Sequence, residues 1–444
     1  MKITRSMISG ASFLSLFLFS ASVSAQTRLF VTLQGQQQCN NCETEYALEI
    51  DVDNGRLVDQ SVIRDANSTV AAATTADGRF LVWIGKEGLG PITLSALDTV
   101  TNSVVVSTPS PGALSFNNVY AHPTRLRLFV SDEASVLAIE PQGQQTFSPG
   151  TGCNFARLSG LSRNGERLFV SCNSILGQTG DTRVLDSETG ALLSTIPDTP
   201  GLQAPNADGT ELFHLQTAPR AILTRRDAVT GAVLAQQDIT AIAQSAFAVS
   251  VDPISGRVFL TGTMPSPPLA HHLTIFEPAN LALVTQFVVP NQGIYPQVLK
   301  PVFSDEGRAC WASAIPLGNR LVSRFSVLDT ANPVHIATVD VPTPGSPSGI
   351  AMALKPAAPT GVSSSVAGRS VTIRWNPGAG LLPSAYVLEV GLTPGATNLT
   401  IDVPSATEYA VPDAPPGTYY VRVRSRNAGG ALSKASAEVQ VVVP

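Results

Sequence analysis

The chain has 444 residues, enough for two or three domains of ordinary size. Hydrophobic residues make up 43% and charged residues 14%, with a net charge of −5. That balance excludes an intrinsically disordered chain, and the absence of any Lys/Arg cluster argues against nucleic acid as a partner, because phosphate contacts need grouped cations.

The first residues read as a targeting segment. Lys2 and Arg5 are followed by an apolar stretch over 11–19 and by the small residues Val23-Ser24-Ala25. This is the pattern of a secretory signal peptide over 1–25, with cleavage expected after Ala25. The apolar run is short of the ~20 residues that cross a bilayer, no Cys follows it to carry a lipid, and no later stretch reads as transmembrane. The expected location is the periplasm or the extracellular space, where the five cysteines meet an oxidising medium. Cys39 and Cys42 then form a Cys-Asn-Asn-Cys run in a Gln-rich loop. Glu43 follows the second Cys where haem attachment would need His, and no βαβ context surrounds the pair, so a loop-pinning disulfide is expected.

From residue 28 onward one pattern recurs. An Arg-Leu-Phe-Val-like strand occurs at 28–31, 79–82, 127–130, 167–170, 211–214, 257–260 and 308–311, at intervals of roughly 40–50 residues. Asp77-Gly78, Asn164-Gly165, Asp208-Gly209, Ser255-Gly256 or Glu306-Gly307 precedes it. A second alternating strand follows, then an Asp-led turn (98–102, 186–190, 227–231, 329–333), a further apolar strand, and a fourth that leads to the next Gly turn. Asp caps such hairpins and Gly supplies positive φ. Four short antiparallel strands per unit make one propeller blade. His122-Pro123-Thr124 replaces the Asp-Gly turn in the third unit, which predicts an irregular hairpin. Residues 350–356 match the inner strand 247–253, but no eighth copy follows, and the first copy lacks an inner strand. Pairing 350–354 with 28–33 would complete blade one from both chain ends and remove the exposed edges. Cys153 and Cys172 flank the hairpin at 162–165 at nearly equal distances, which predicts a disulfide. Cys310 aligns with Phe169 and is expected to be a buried thiol.

These repeats resemble the YVTN-type propeller repeats of exported bacterial proteins. Asp-Gly-Arg-Phe-Leu-Val at 77–82 and Asn-Gly-Glu-Arg-Leu-Phe-Val at 164–170 carry the resemblance, which covers about 27–356 and implies a seven-bladed fold without fixing an activity.

Pro356-Ala357-Ala358-Pro359 reads as a stiff linker. Beyond it Val371, Ile373 and Trp375 alternate on one face, as do Tyr386, Leu388 and Val390, and Pro415-Pro416-Gly417-Thr418 turns into Tyr419, Val421 and Val423. The runs at 370–375 and 416–423 resemble a fibronectin type III domain, with Trp375 and Tyr419 as core residues. The expected architecture is therefore all-β, a seven-bladed β-propeller over 26–356 followed by a fibronectin type III-like β-sandwich over 357–444.

No metalloprotease, nucleophile-elbow or phosphate-loop motif is present, and the Asp turns lack the oxygen density of a calcium loop. Neither a catalytic residue, a metal site nor a cofactor is therefore assigned. Strand order sends two sets of connections to opposite ends of each blade. One set is short and Asp/Gly-rich. The other carries the insertions, at 34–45, 107–118, 174–181, 263–272 and 289–297, and long loops on a rigid scaffold are where binding concentrates. Near the channel mouth at that end stand Asn118, Asn154, Gln203, Gln244 and Gln297, suited to a neutral polar ligand, with His271 expected in a solvated long loop. The leading expectation is an exported, non-catalytic binding or scaffold protein whose long-loop face recognises a protein, peptide or glycan. The alternative is a lactonase-like hydrolase or a lyase on the same face.

Overall fold

A computed structural model describes residues 28–34, 45–52, 56–63, 71–86, 92–109, 118–132, 134–173, 180–217, 219–242, 245–263, 270–290, 300–304, 307–317, 320–344, 346–353, 355–378 and 382–444. Regular structure among them is entirely β-strand. The chain separates into one compact unit spanning Thr27–Leu354 and a second containing Lys355–Pro444.

In the first unit the described residues form seven antiparallel sheets of four strands each. Six follow the chain order, as in Ala156–Leu161, Arg167–Asn173, Gly180–Asp186 and Leu192–Ile196. The remaining sheet runs Ser346–Met352, Arg28–Gln34, Glu45–Asp51, Arg56–Ile63, so the last strand of the unit pairs with the first. Leu29 stands opposite Met352 and Val31 opposite Ile350, as the sequence led us to expect, and the pairing extends back to Ser346.

Local chemistry explains why the turns repeat. In the second, fourth, fifth and sixth sheets the hairpin leaving the first strand closes over five residues, with Thr75 N–H to Phe80 O, Ser162 N–H to Arg167 O, Asn206 N–H to Glu211 O and Asp252 N–H to Arg257 O at 2.9–3.0 Å, whereas in the last sheet Ser304 N–H reaches Arg308 O at 2.8 Å over four. Polar side chains hold it: Ser162 Oγ accepts from Arg167 N–H at 2.9 Å, and Asn206 Oδ1 from Glu211 N–H at 3.0 Å. The third hairpin is not irregular. His122 N–H reaches Arg127 O at 2.8 Å over the same span, and His122 Nδ1 accepts the N–H of Thr124 at 3.2 Å, so the imidazole serves as a turn acceptor. The later turns are held by Asp98, Asp186, Asp227 and Asp329, each accepting two N–H groups of its own turn.

Adjacent sheets pack through the repeated strand. Phe169 packs with Leu212 of the next sheet, Phe213 with Val258 and Leu260, and Cys310 with Leu29, Val31 and Leu33. Fully burying such a side chain stabilises by about 1.5–3 kcal/mol. One copy departs from the expected register. Because Thr75 closes onto Phe80, Phe80 occupies the place of Arg167, and Leu81 that of Leu168. The second copy thus begins at 80, not 79. A one-residue slip exchanges the two faces of a strand, and accordingly Leu81 and Trp83 pack with Phe30 on one side while Val82 and Ile84 pack with Val119 and Val130 on the other.

The second unit contains two antiparallel sheets, of three strands and four strands, sharing one core. Val371, Ile373 and Trp375 are buried together with Tyr386, Leu388, Val421 and Val423. Trp375 meets Tyr386 edge-to-face at 5.3 Å. Tyr419 packs against this core and its Oη donates to Pro415 O at 3.0 Å. The strand Ala385–Gly391 was expected to bury one face only, yet Val387 and Glu389 on the other face are buried too. The Glu389 carboxylate is held there by Arg422 and Arg424 at 3.1 and 2.6 Å.

Candidate functional site

The first strands of all seven sheets line a single cavity of about 420 Å³ at the centre of the first unit. Its wall is mostly small: Ala71–Ala73, Gly160, Ala204, Val251 and Gly349. Two cations reach into it. Lys300, just ahead of the first strand of the last sheet, donates through Nζ to Tyr120 Oη at 3.2 Å and stands 5.5 Å from that ring's centroid. Tyr120 belongs to the third sheet and donates its own proton to Ser159 O of the fourth at 2.9 Å, so this chain of contacts bridges the channel. At the Gly-turn end Arg163 donates through its backbone N–H to Ala207 O at 2.6 Å and through Nη1 to Pro253 O at 3.4 Å. The cavity lining contains no carboxylate among the described residues.

Asn118, Asn154, Gln203 and His271 all lie at the end of their sheets from which the long connections depart. Their environments differ. Asn154 is exposed. Asn118 lines the cavity while its Nδ2 donates to Leu158 O at 2.7 Å. Gln203 is buried and its amide is spent internally: Oε1 accepts from Thr182 Oγ1 at 2.7 Å and Ser159 Oγ at 3.1 Å, while Nε2 donates to Ser171 Oγ at 3.2 Å and to Thr199 O. This amide ties the fourth sheet to the fifth instead of facing the channel. His271 is not in a solvated loop. It lies on the strand Ala270–Phe276, opposite Thr263, and both it and His272 are fully buried. Burial holds the His271 pKa below the usual imidazole value. Gln244, Gln297, Cys39 and Cys42 lie outside the described residues, as do 35–44, 110–117, 174–179, 264–269 and 291–299, which hold most of the expected insertions.

Cys153 and Cys172 form the expected disulfide. Cys172 is opposite Ala156 in the ladder, so the bridge fastens the segment entering the fourth sheet to the end of its second strand, beside Asn154. Cys310 is a buried thiol, as expected. Among the described residues no group of three or more His, Cys, Asp or Glu could hold a metal ion, and no helix is long and apolar enough to cross a membrane.

Sequence reasoning missed Lys300 and Tyr120. The signal for Tyr120 was its place on a first strand, whose alternate side chains must face the axis. Nothing local marked Lys300, because its partner is 180 residues away.

No protein-family model and no curated protein matches the chain. Solved structures do. A 6-phosphogluconolactonase-like protein from Bacteroides fragilis is 14% identical, with 75% of this chain and 99% of that one covered at a TM-score of 0.52. A chain of the Kuenenia stuttgartiensis hydrazine synthase is 15% identical over 77% and 97%, at 0.49, and TolB from Acinetobacter baumannii is 12% identical over 74% and 67%, at 0.44. Repeated four-stranded antiparallel sheets around a central channel, together with the likeness to the Bacteroides protein, define a β-propeller.

Proposed function

We propose that this chain is an exported, seven-bladed propeller protein of the YVTN repeat kind, with a fibronectin type III-like sandwich over 357–444, and that it captures a protein, peptide or glycan on its long-loop face without catalysis. The seven closed sheets support the blade count. The paired sheets, the buried Trp375 and the bond from Tyr419 Oη to the backbone four residues upstream support the sandwich. The signal-like residues 1–25 and the disulfide support export.

The observation that carries the binding reading is the difference between the two ends of the propeller. At the turn end the Asp carboxylates are engaged in holding their own turns, which leaves little for recognition or acid–base chemistry. At the opposite end an exposed Asn154 stands on a disulfide-fastened segment among the departures of the long connections. An exposed amide on such a segment suits neutral polar groups, each hydrogen bond contributing about 0.5–1.5 kcal/mol. The test is to probe glycan and peptide arrays with the full chain, then with Asn154→Ala/Gln297→Ala. Binding should weaken with the thermal midpoint unchanged and should persist in chelator. Abolition by chelator, or capture that the double variant leaves intact, would overturn the assignment. Acid release from a lactone panel would instead favour the hydrolase reading, for which the likeness to the Bacteroides protein supplies only a shared fold.

A further inference from the structure

We propose that the central channel is a binding site for a small organic carboxylate, whose anionic group pairs with the Lys300 ammonium while its apolar body lies along the channel wall. The site is separate from macromolecular capture on the long-loop face, and either can fail without the other.

The protein is acidic overall, at −5, yet the two charged side chains among the described residues lining the cavity, Lys300 and Arg163, are both cationic. The Arg163 guanidinium donates to Pro253 O at the turn end. Lys300 is half-buried, and among the described residues no carboxylate pairs with it. An ammonium group carries three donors, and the Tyr120 phenol takes one. Tyr120 is held in turn by Ser159 O, so its oxygen presents a lone pair to Lys300 and fixes the direction of the ammonium. A partly desolvated cation with unused donors gains most from an anion that accepts charge-assisted hydrogen bonds. The cavity volume of about 420 Å³ falls in the range of small-molecule sites. Ala, Val, Pro and Gly make up much of the wall, and of its polar side chains Thr74, Asn118, Ser159 and Ser348 donate to neighbouring groups of the protein, which favours an aliphatic or aromatic body over a sugar.

The probe is hexanoate, titrated by calorimetry and ligand-observed NMR into the full chain, with hexanamide and inorganic phosphate as controls. Hexanoate should bind saturably. Lys300→Met, which keeps the bulk and removes the charge, should weaken it about ten- to hundredfold, the worth of a charge-assisted hydrogen bond. Lys300→Arg should retain most of the affinity, and Tyr120→Phe should lose part of it. Hexanamide should bind the protein and Lys300→Met equally poorly. Thermal midpoints taken alongside show that each variant is folded. Equal hexanoate binding by Lys300→Met and the unaltered chain, no saturable hexanoate binding at all, or phosphate binding as tight as hexanoate would each overturn the proposal.

Discussion

Single residues here work mainly as turn fasteners. Gly165 has φ +80°, and a Cβ there would lie 2.3 Å from His122 Nε2 of the preceding sheet. Gly165→Ala therefore combines backbone strain with a clash, and we expect it to cost about 2–3 kcal/mol in denaturant unfolding. In a His122→Asn background the clash is relieved and part of the loss should return; equal losses in both backgrounds would show that the imidazole is not the obstacle. His122 and His214 also set a pH dependence. Burial, reinforced by Arg125 and Arg127 around His122 and by Arg226 near His214, lowers both to about 4. Glu188 opposes this at His122 without cancelling it. The unfolded chain takes up these protons near pH 6.5, the folded chain only near 4. Stability is therefore complete above about 6.5 and declines as pH falls towards 4, by up to ~3 kcal/mol per histidine. Asn at 122 can still accept at the turn, as Asn206 does. His122→Asn/His214→Gln should accordingly lose less stability between about pH 7 and pH 4.5. An unchanged pH profile would remove these two groups from the explanation.

At the scale of strands and sheets, the disulfide acts on one end of one sheet. It closes a loop of sequence separation 19, so replacing Cys153 and Cys172 by Ala should lower unfolding stability by about 3 kcal/mol in the chain-entropy picture. A loss well below about 1 kcal/mol would mean that the unfolded chain keeps residual structure between the two cysteines, so that the bridge removes little of its entropy. The four-strand repeat was readable because turn chemistry and period-two burial mark the same boundaries independently. The register of the second copy was not. Arg79-Phe80-Leu81-Val82 resembles the Arg-Leu-Phe-Val of other copies with only Phe and Leu exchanged, yet the turn from Thr75 closes onto Phe80 and displaces it by one. Only the hydrogen-bonded ladder distinguishes the two alignments, since Phe80, Leu81 and Val82 are apolar on either face.

At the scale of the whole molecule, closure is what joins the two ends of the propeller unit. Ile350 and Met352 lie in the same core as Leu29, Val31 and Cys310. A chain ending at Pro356 should therefore unfold cooperatively, while one ending at Pro347 should lose the strand that covers residues 28–33 and melt earlier and more broadly. Identical melting of the two would show that the closing strand adds nothing.

The sequence by itself determined the all-β class, the repeat, the closing strand and the Cys153–Cys172 bridge. The class, the repeat and the bridge rest on contacts local in the chain or set by pairing across one turn. The closing strand, though it pairs residues about 320 positions apart, was legible because the repeat left one copy without an inner strand and one inner strand without a copy. The tertiary structure decided what the chemistry-bearing residues do. Gln203 and His271 carried the right residue types at the right end of their strands, but sheet-to-sheet packing buried one in a hydrogen-bond network and the other in an interior strand. The same packing brought Lys300 to Tyr120 across the channel. Such contacts join sheets far apart in sequence, so strand periodicity specifies each sheet's faces but not which side chains meet between them.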